Sequence, residues 1–185
     1  MELRKEYREN YVLFDKLCQV PKDILDNMND YLDQVLYKKM PETNYLGYRV
    51  WWVQSNKNLK DENDFNWIDW TDDDFLAPTK LFFHNIVNNI CRLRFSVLNT
   101  NKSINFHASH MVPRIHIPLN DSGAVYHAKD LNGVEHKYDL EFGYAHFLNV
   151  TLPHAIYASA FAPRRNCYFS LDKFKDEKFK DLFKK

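Results

Sequence analysis

Residues 112–128 read Val112-Pro-Arg114-Ile-His116-Ile-Pro-Leu119-Asn120-Asp-Ser-Gly123-Ala-Val-Tyr-His127-Ala128. A short β-branched run meets Asn-Asp-Ser-Gly, a sequence that favours tight turns, and a second short run follows. The same unit repeats around it. Segments 92–99, 104–107, 112–119, 122–128, 134–138, 145–150, 154–160 and 166–172 read as short strands. Turn-prone pieces such as Asn120-Asp121-Ser122-Gly123 and Leu131-Asn132-Gly133 separate them. Eight short strands in succession predict a jelly-roll or barrel core over 92–172.

Upstream the period changes. Ile24, Leu25, Met28, Tyr31, Leu32, Val35 and Leu36 recur at spacings of three and four, which predicts an amphipathic helix over 21–40 with Pro21 near its start. Residues 45–54, rich in aromatic and β-branched side chains, predict a strand. Residues 55–77 are polar and acidic and long for a plain connection, so they are a candidate functional loop or lid. Phe82, Ile86 and Ile90 mark a second helix over 78–90. Helices first and strands after give an α+β protein of one domain, 1–185, with a mainly helical region 1–91 ahead of the β core and a tail at 173–185.

Composition narrows the function. The chain has 185 residues, 45% of them apolar and 16% aromatic, enough for a sizeable core, and its 4 glycines leave no phosphate-binding glycine loop. Lys plus Arg and Asp plus Glu number 25 each, so no net charge draws it to nucleic acid or an anionic membrane. Three scattered cysteines, Cys18, Cys91 and Cys167, argue against a disulfide framework, and Cys167 reads as an inert core thiol. The charged start and the lack of an apolar run of about 20 residues predict a soluble cytoplasmic protein. The oligomeric state is not readable.

The chemical signal is histidine. Of the 8 histidines, all but His84 fall between 107 and 154: His107, His110, His116, His127, His136, His146 and His154. Imidazole suits transition metals, and a barrel can bring two such rings from distant strands to one point in its mouth.

His107, then Arg114-Ile-His116-Ile-Pro-Leu119, then Pro153-His154, then Arg164 ten residues on, then a strand closing at Asp172, together resemble the aspartyl/asparaginyl β-hydroxylase family, which includes bacterial free-proline hydroxylases. The resemblance covers about residues 80–172. It implies a double-stranded β-helix, cupin-like, and an iron(II)- and 2-oxoglutarate-dependent oxygenase that hydroxylates an amino acid, free or within a peptide. It implies further that His107 and His154 hold the iron, that Arg164 pairs with the far carboxylate of 2-oxoglutarate, that Arg114 and His116 face this cosubstrate, and that Asp172 is structural. An arginine fork suits that carboxylate, since it donates two parallel hydrogen bonds.

Three points of the pattern stay open. Many oxygenases of this class take a carboxylate ligand from His-x-Asp/Glu, where this chain has His107-Ala108-Ser109; a water, Ser109 or His110 is left to complete the metal site. A gapless alignment of the Arg-x-His strand puts Asn105 at the ligand position, and a two-residue shift to His107 keeps the same strand face. Arg164 and Arg165 are adjacent, so only one of them enters the site, and the spacing favours Arg164. Two other readings accompany the oxygenase: a non-catalytic cupin-like binding module, and a metal cupin enzyme using three histidines (His107, His110, His154) without 2-oxoglutarate. Trp51, Trp52, Trp67 and Trp70 are candidates either for a substrate pocket or for packing, and the acidic run Asp69–Asp74 for a cationic substrate or a solvated loop. Asn149 and Thr151 are candidates for supporting His154 through hydrogen bonds. The partner is a small-molecule or peptide substrate, with no nucleic acid or membrane.

Overall fold

The computed structural model describes residues 5, 8–37, 47–55, 69–70, 74–87, 90–108 and 112–171. Chain order is β1 (Phe14–Gln19), α1 (Lys22–Tyr37), β2 (Tyr48–Trp52), β3 (Gln54–Ser55), β4 (Asp69–Trp70), α2 (Ala77–Ile86), β5 (Ile90–Leu98), β6 (Ser103–His107), β7 (Arg114–Pro118), β8 (Val125–Lys129), β9 (Glu135–Asp139), β10 (Tyr144–Leu148), β11 (His154–Tyr157) and β12 (Arg164–Leu171). A six-stranded sheet runs β1-β10-β7-β12-β5-β2 and a four-stranded sheet runs β6-β11-β8-β9, with antiparallel pairing throughout. The two sheets and the helices make the expected α+β double-stranded β-helix.

Both helices and all eight predicted core strands appear, with ends moved by a few residues. The region before residue 91 supplies both edge strands of the large sheet: β2, within the strand expected over 45–54, and β1, which was not expected. Sequence reading missed β1 because it lacks clean alternation. Its burial runs irregularly along the strand, and its pairing with β10 shifts between Lys16 and Cys18. In the candidate lid, Gln54 and Ser55 pair with Trp70 and Asp69. Residues 56–68 and 71–73, with Trp67, Asp72 and Asp73, lie outside the described residues, as do Ser109, His110, Asp172 and the tail.

The core explains why the strands sit as they do. On one face of the large sheet, Leu93, Phe95, Ile115, Ile117, Phe147, Cys167 and Phe169 pack against Ile24, Met28, Leu32 and Val35 of α1 and Phe83 of α2. Full burial of each such side chain stabilises by about 1.5–3 kcal/mol. Thr79 Oγ1 donates to Asn27 Oδ1 at 2.7 Å, tying the two helices together. A smaller apolar cluster, including Leu98, Ile104, Tyr126, Leu148 and Ile156, lies between the sheets. Among the described residues no helix is long and apolar enough to cross a membrane.

Candidate functional site

A cavity of about 350 Å³ opens between the two sheets. The small sheet lines it with Ile104 and His107 (β6), Tyr126 (β8), and His154 and Ile156 (β11). The large sheet contributes Tyr48, Val50, Trp52, Arg94, Arg114, His116, Arg164 and Tyr168, and Val150 adds to the wall.

His107 and His154 are directly opposite each other on the paired strands β6 and β11, with ring centroids 4.2 Å apart. Each ring is held the same way. His107 Nδ1 lies 2.8 Å from the Asn105 carbonyl and His154 Nδ1 lies 2.9 Å from the Leu152 carbonyl. A carbonyl only accepts, so Nδ1 carries the hydrogen and the lone pair of each ring is on Nε2. His154 is buried, and burial pushes its pKa down to about 3, with the neighbouring His107 as a second cause. It is therefore neutral at pH 7, the form a metal needs. The donor set thus fits a transition metal: two facing imidazoles, each held through Nδ1 by a backbone carbonyl.

His107 reaches the cavity by a route the alternation argument did not foresee. His154 and Ile156 are two residues apart, but their partners His107 and Ile104 are three apart. The extra residue is a β-bulge at Asn105–Phe106, and a bulge reverses the in–out parity of the strand beyond it. Ile104 and His107 therefore both face inward, whereas Asn105 is exposed and Phe106 lies under Lys129 Nζ at 4.7 Å. Asn105 and His107 do not share a face, and Asn105 does not line the cavity.

Parity did decide between the arginines. Along β12, Arg164, Asn166, Tyr168 and Ser170 alternate with Arg165, Cys167 and Phe169. Arg164 is buried in the cavity wall. Arg165 emerges on the helix side, where its guanidinium meets Asp33 Oδ1 at 2.8 Å and donates to the Asn29 carbonyl. It takes no part in the cavity.

His116 has the opposite tautomer to the facing pair. Arg164 Nη2 at 3.4 Å and Asn166 Nδ2 at 3.1 Å both approach its Nδ1. Guanidinium only donates, so Nδ1 accepts and the hydrogen sits on Nε2. Among the described residues that buried Nε2 has no hydrogen-bond partner, and neither has the Tyr126 hydroxyl. Burial, then the charges of Arg164 and Arg114, hold the His116 pKa well below the usual histidine range. Burial also lowers Arg164, and it lowers Arg114 to about 10, with nearby Arg94 as the second cause. Among the described residues lining the cavity there is no carboxylate.

The remaining histidines disperse. His127 pairs with Glu135 Oε1 at 2.7 Å and His136 with Asp130 Oδ2 at 3.1 Å, both across the β8–β9 hairpin. His146 is buried beside the Glu141 carbonyl. Among the described residues no cluster of three metal-ligating side chains forms. Trp52 lines the cavity, while Trp51 packs against the core and donates to the Tyr31 hydroxyl. Thr151 Oγ1 donates to Asn149 Oδ1 at 2.6 Å, fixing the turn that presents the Leu152 carbonyl to His154 rather than touching the ring. Burial pushes the Cys167 thiol well up, as suits an inert core residue.

Sequence reading missed Arg94, Tyr48, Tyr126 and Tyr168. A signal existed for the first: β5 reads Ile90-Cys-Arg92-Leu-Arg94-Phe-Ser96-Val-Leu98, and two arginines in an otherwise apolar run point to a polar inner face.

No protein-family model matches the chain, and no curated protein sequence matches it. Its structure is similar to a prolyl-4-hydroxylase from Pseudomonas putida, with a TM-score of 0.61 and 11% identity over 93% of this chain and 98% of that one. It is similar to an oxidoreductase of the 2OG-Fe(II) oxygenase family from Burkholderia pseudomallei, with a TM-score of 0.62 and 12% identity over 91% and 87%. A third similar structure is HygX from Streptomyces hygroscopicus with nickel, 2-oxoglutarate and hygromycin B bound, with a TM-score of 0.56 and 9% identity over 89% and 85%. The chain has the fold of the 2-oxoglutarate oxygenases. Its kinship to the aspartyl/asparaginyl β-hydroxylases in particular remains a resemblance of motif order.

Proposed function

We propose that the protein is an iron(II)- and 2-oxoglutarate-dependent oxygenase that hydroxylates an amino acid or amino-acid residue. One observation carries this reading: two facing imidazoles, each with Nδ1 tied to a backbone carbonyl, turn their Nε2 lone pairs toward a cavity whose other wall holds buried arginines without a described carboxylate.

In this reading His107 and His154 hold the iron, and the iron supplies activation of dioxygen for the coupled oxidation of 2-oxoglutarate and substrate. Arg164 takes the far carboxylate of 2-oxoglutarate by a charge-assisted pair. The unpartnered His116 Nε2–H and Tyr126 hydroxyl are donors suited to carboxylate oxygens. Arg114 adds positive charge on the same side. Burial of Arg164, His116 and Tyr126 between the sheets strengthens each of these contacts. The carboxylate ligand found in many such enzymes falls at Ser109 in this chain, which carries none, and water suits that position. Likeness in fold to the 2OG-Fe(II) oxygenases supports the reading.

The test is thermal unfolding with manganese(II) and 2-oxoglutarate. At a hundred times Kd, the wild type gains about 2.7 kcal/mol. His154→Ala loses the metal shift, and Arg164→Gln loses the 2-oxoglutarate shift while keeping the metal one. In parallel, iron(II), ascorbate and labelled 2-oxoglutarate yield succinate. No shift and no succinate from the wild type means that the protein is not an oxygenase.

A further inference from the structure

Across the large sheet, four planar groups stand side by side on neighbouring strands. Trp52 pairs with Arg94, Arg94 with Tyr168, and Tyr168 with His116 in backbone register. Their side chains stack in the same order: the Arg94 guanidinium lies 4.3 Å from the Trp52 ring and 4.4 Å from the Tyr168 ring, and Tyr168 stacks on His116 at 4.8 Å and 9°. The spacing is close to that between adjacent strands, about 4.8 Å, so pleated backbone register sets the stack.

Both faces of the Arg94 guanidinium are therefore covered by aromatic rings. Its in-plane N–H fork is what remains for a ligand, and rings on both faces fix the plane in which that fork is presented. Arg94 is 6% exposed and lines the cavity, and among the described residues its Nε has no hydrogen-bond partner. Among the described residues no carboxylate pairs with it. A cation so buried is costly unless something neutralises it. Arg114 and Arg164 share the cavity, and Arg94 contributes to lowering Arg114.

The proposed cosubstrate leaves this cluster incompletely neutralised. Of its two carboxylates one belongs to the metal and the other to Arg164, and neither answers to Arg94. We propose that Arg94, clamped between Trp52 and Tyr168, is the recognition site for a carboxylate group of the substrate. The inference rests on the oxygenase reading and gives it a substrate class: an acid, such as a free amino acid bound through its carboxylate or a peptide bound through an acidic side chain or C-terminus. A planar carboxylate matches the planar fork with two parallel hydrogen bonds, whereas an amide offers one acceptor and no charge.

The experiment titrates protein loaded with manganese(II) and saturating 2-oxoglutarate with acetate, benzoate, the free amino acids, their primary carboxamides and inorganic phosphate, read by calorimetry and thermal shift. The expected result is that one or more free acids bind, that the matching carboxamide binds at least tenfold more weakly, and that R94Q weakens the acid at least tenfold while leaving 2-oxoglutarate affinity within twofold of wild type. R94K, which keeps the charge and loses the fork, falls between, and circular dichroism checks that both variants fold. Equal binding of acids and amides, preference for phosphate over every acid, no binding across the panel, or loss of 2-oxoglutarate affinity in R94Q each overturns the assignment. The same panel on protein without metal or 2-oxoglutarate separates the two readings. Should the wild type ignore 2-oxoglutarate, acid binding that R94Q abolishes still upholds the anion site, and its absence removes both.

Discussion

On the helix side of the large sheet, β7 and β12 present Ile115, Ile117, Cys167 and Phe169; on the cavity side the same two strands present Arg114, His116, Arg164 and Tyr168. Most of these side chains are buried on either face, and every residue of β5 is buried. A strand buried on both sides is ordinarily apolar throughout. Here one face supplies the folding free energy, and the other holds cations with no carboxylate among the described residues lining the cavity, which is a cost to folding. Core packing and the candidate site are thus divided between alternate residues of the same strands.

Four measurements probe that division, beginning with the largest effect. Phe169→Ala removes a fully buried ring from the helix-side core and should cost about 3–5 kcal/mol in urea unfolding, given the usual cost of a buried aromatic cavity. A loss below about 1 kcal/mol would mean that this face does not carry the stability.

Next comes pH. In chelator-treated protein His154 has a pKa of about 3, against about 6.5 in the unfolded chain. The unfolded state therefore binds the proton first, and stability present above pH 6.5 is lost as pH falls toward 3. From pH 6.5 to 5, above the carboxylate range, His154 alone should remove up to about 2 kcal/mol at roughly 1.4 kcal/mol per unit. His116, also depressed, acts in the same direction. Urea midpoints that stay flat over that window would contradict a buried neutral His154.

Tyr48→Phe breaks the 2.6 Å hydrogen bond between the Tyr48 and Tyr168 hydroxyls and should cost about 1 kcal/mol, the net worth of one such bond. The smallest change is expected for Arg164→Met in anion-free buffer: no loss, or a gain of up to about 1 kcal/mol, because a buried cation without a described counter-charge is replaced by an apolar chain. A clear destabilisation by Arg164→Met would show that the cavity face also holds the fold together.

How much of this could be read beforehand depended on which physical rule governed each residue. The helix of Ile24 to Leu36 and the repeating short strands follow from periodicity, and both are present. Arg164 and Arg165 were separable because alternation is unbroken at that end of β12. The same rule failed at Asn105 and His107, where a bulge intervenes that no propensity announces. The histidine cluster overstated the site, since His127 pairs with Glu135 across the β8–β9 hairpin and His136 with Asp130 in its turn. Arg94 escaped notice because its partners, Trp52 and Tyr168, are 42 and 74 residues away along the chain and meet it only through sheet order. Unbroken strands were legible, whereas tertiary register was not.

The bulge in β6 also bears on how such a site is gained or lost. With one residue more between Ile104 and His107 than between their partners on β11, the strand acts as an odd–even counter. Deleting a single residue there would leave the hydrogen-bonded ladder nearly intact and turn the imidazole to solvent. Insertion or deletion of one codon is thus enough to bring this imidazole into the cavity or take it out, in a barrel that otherwise looks the same.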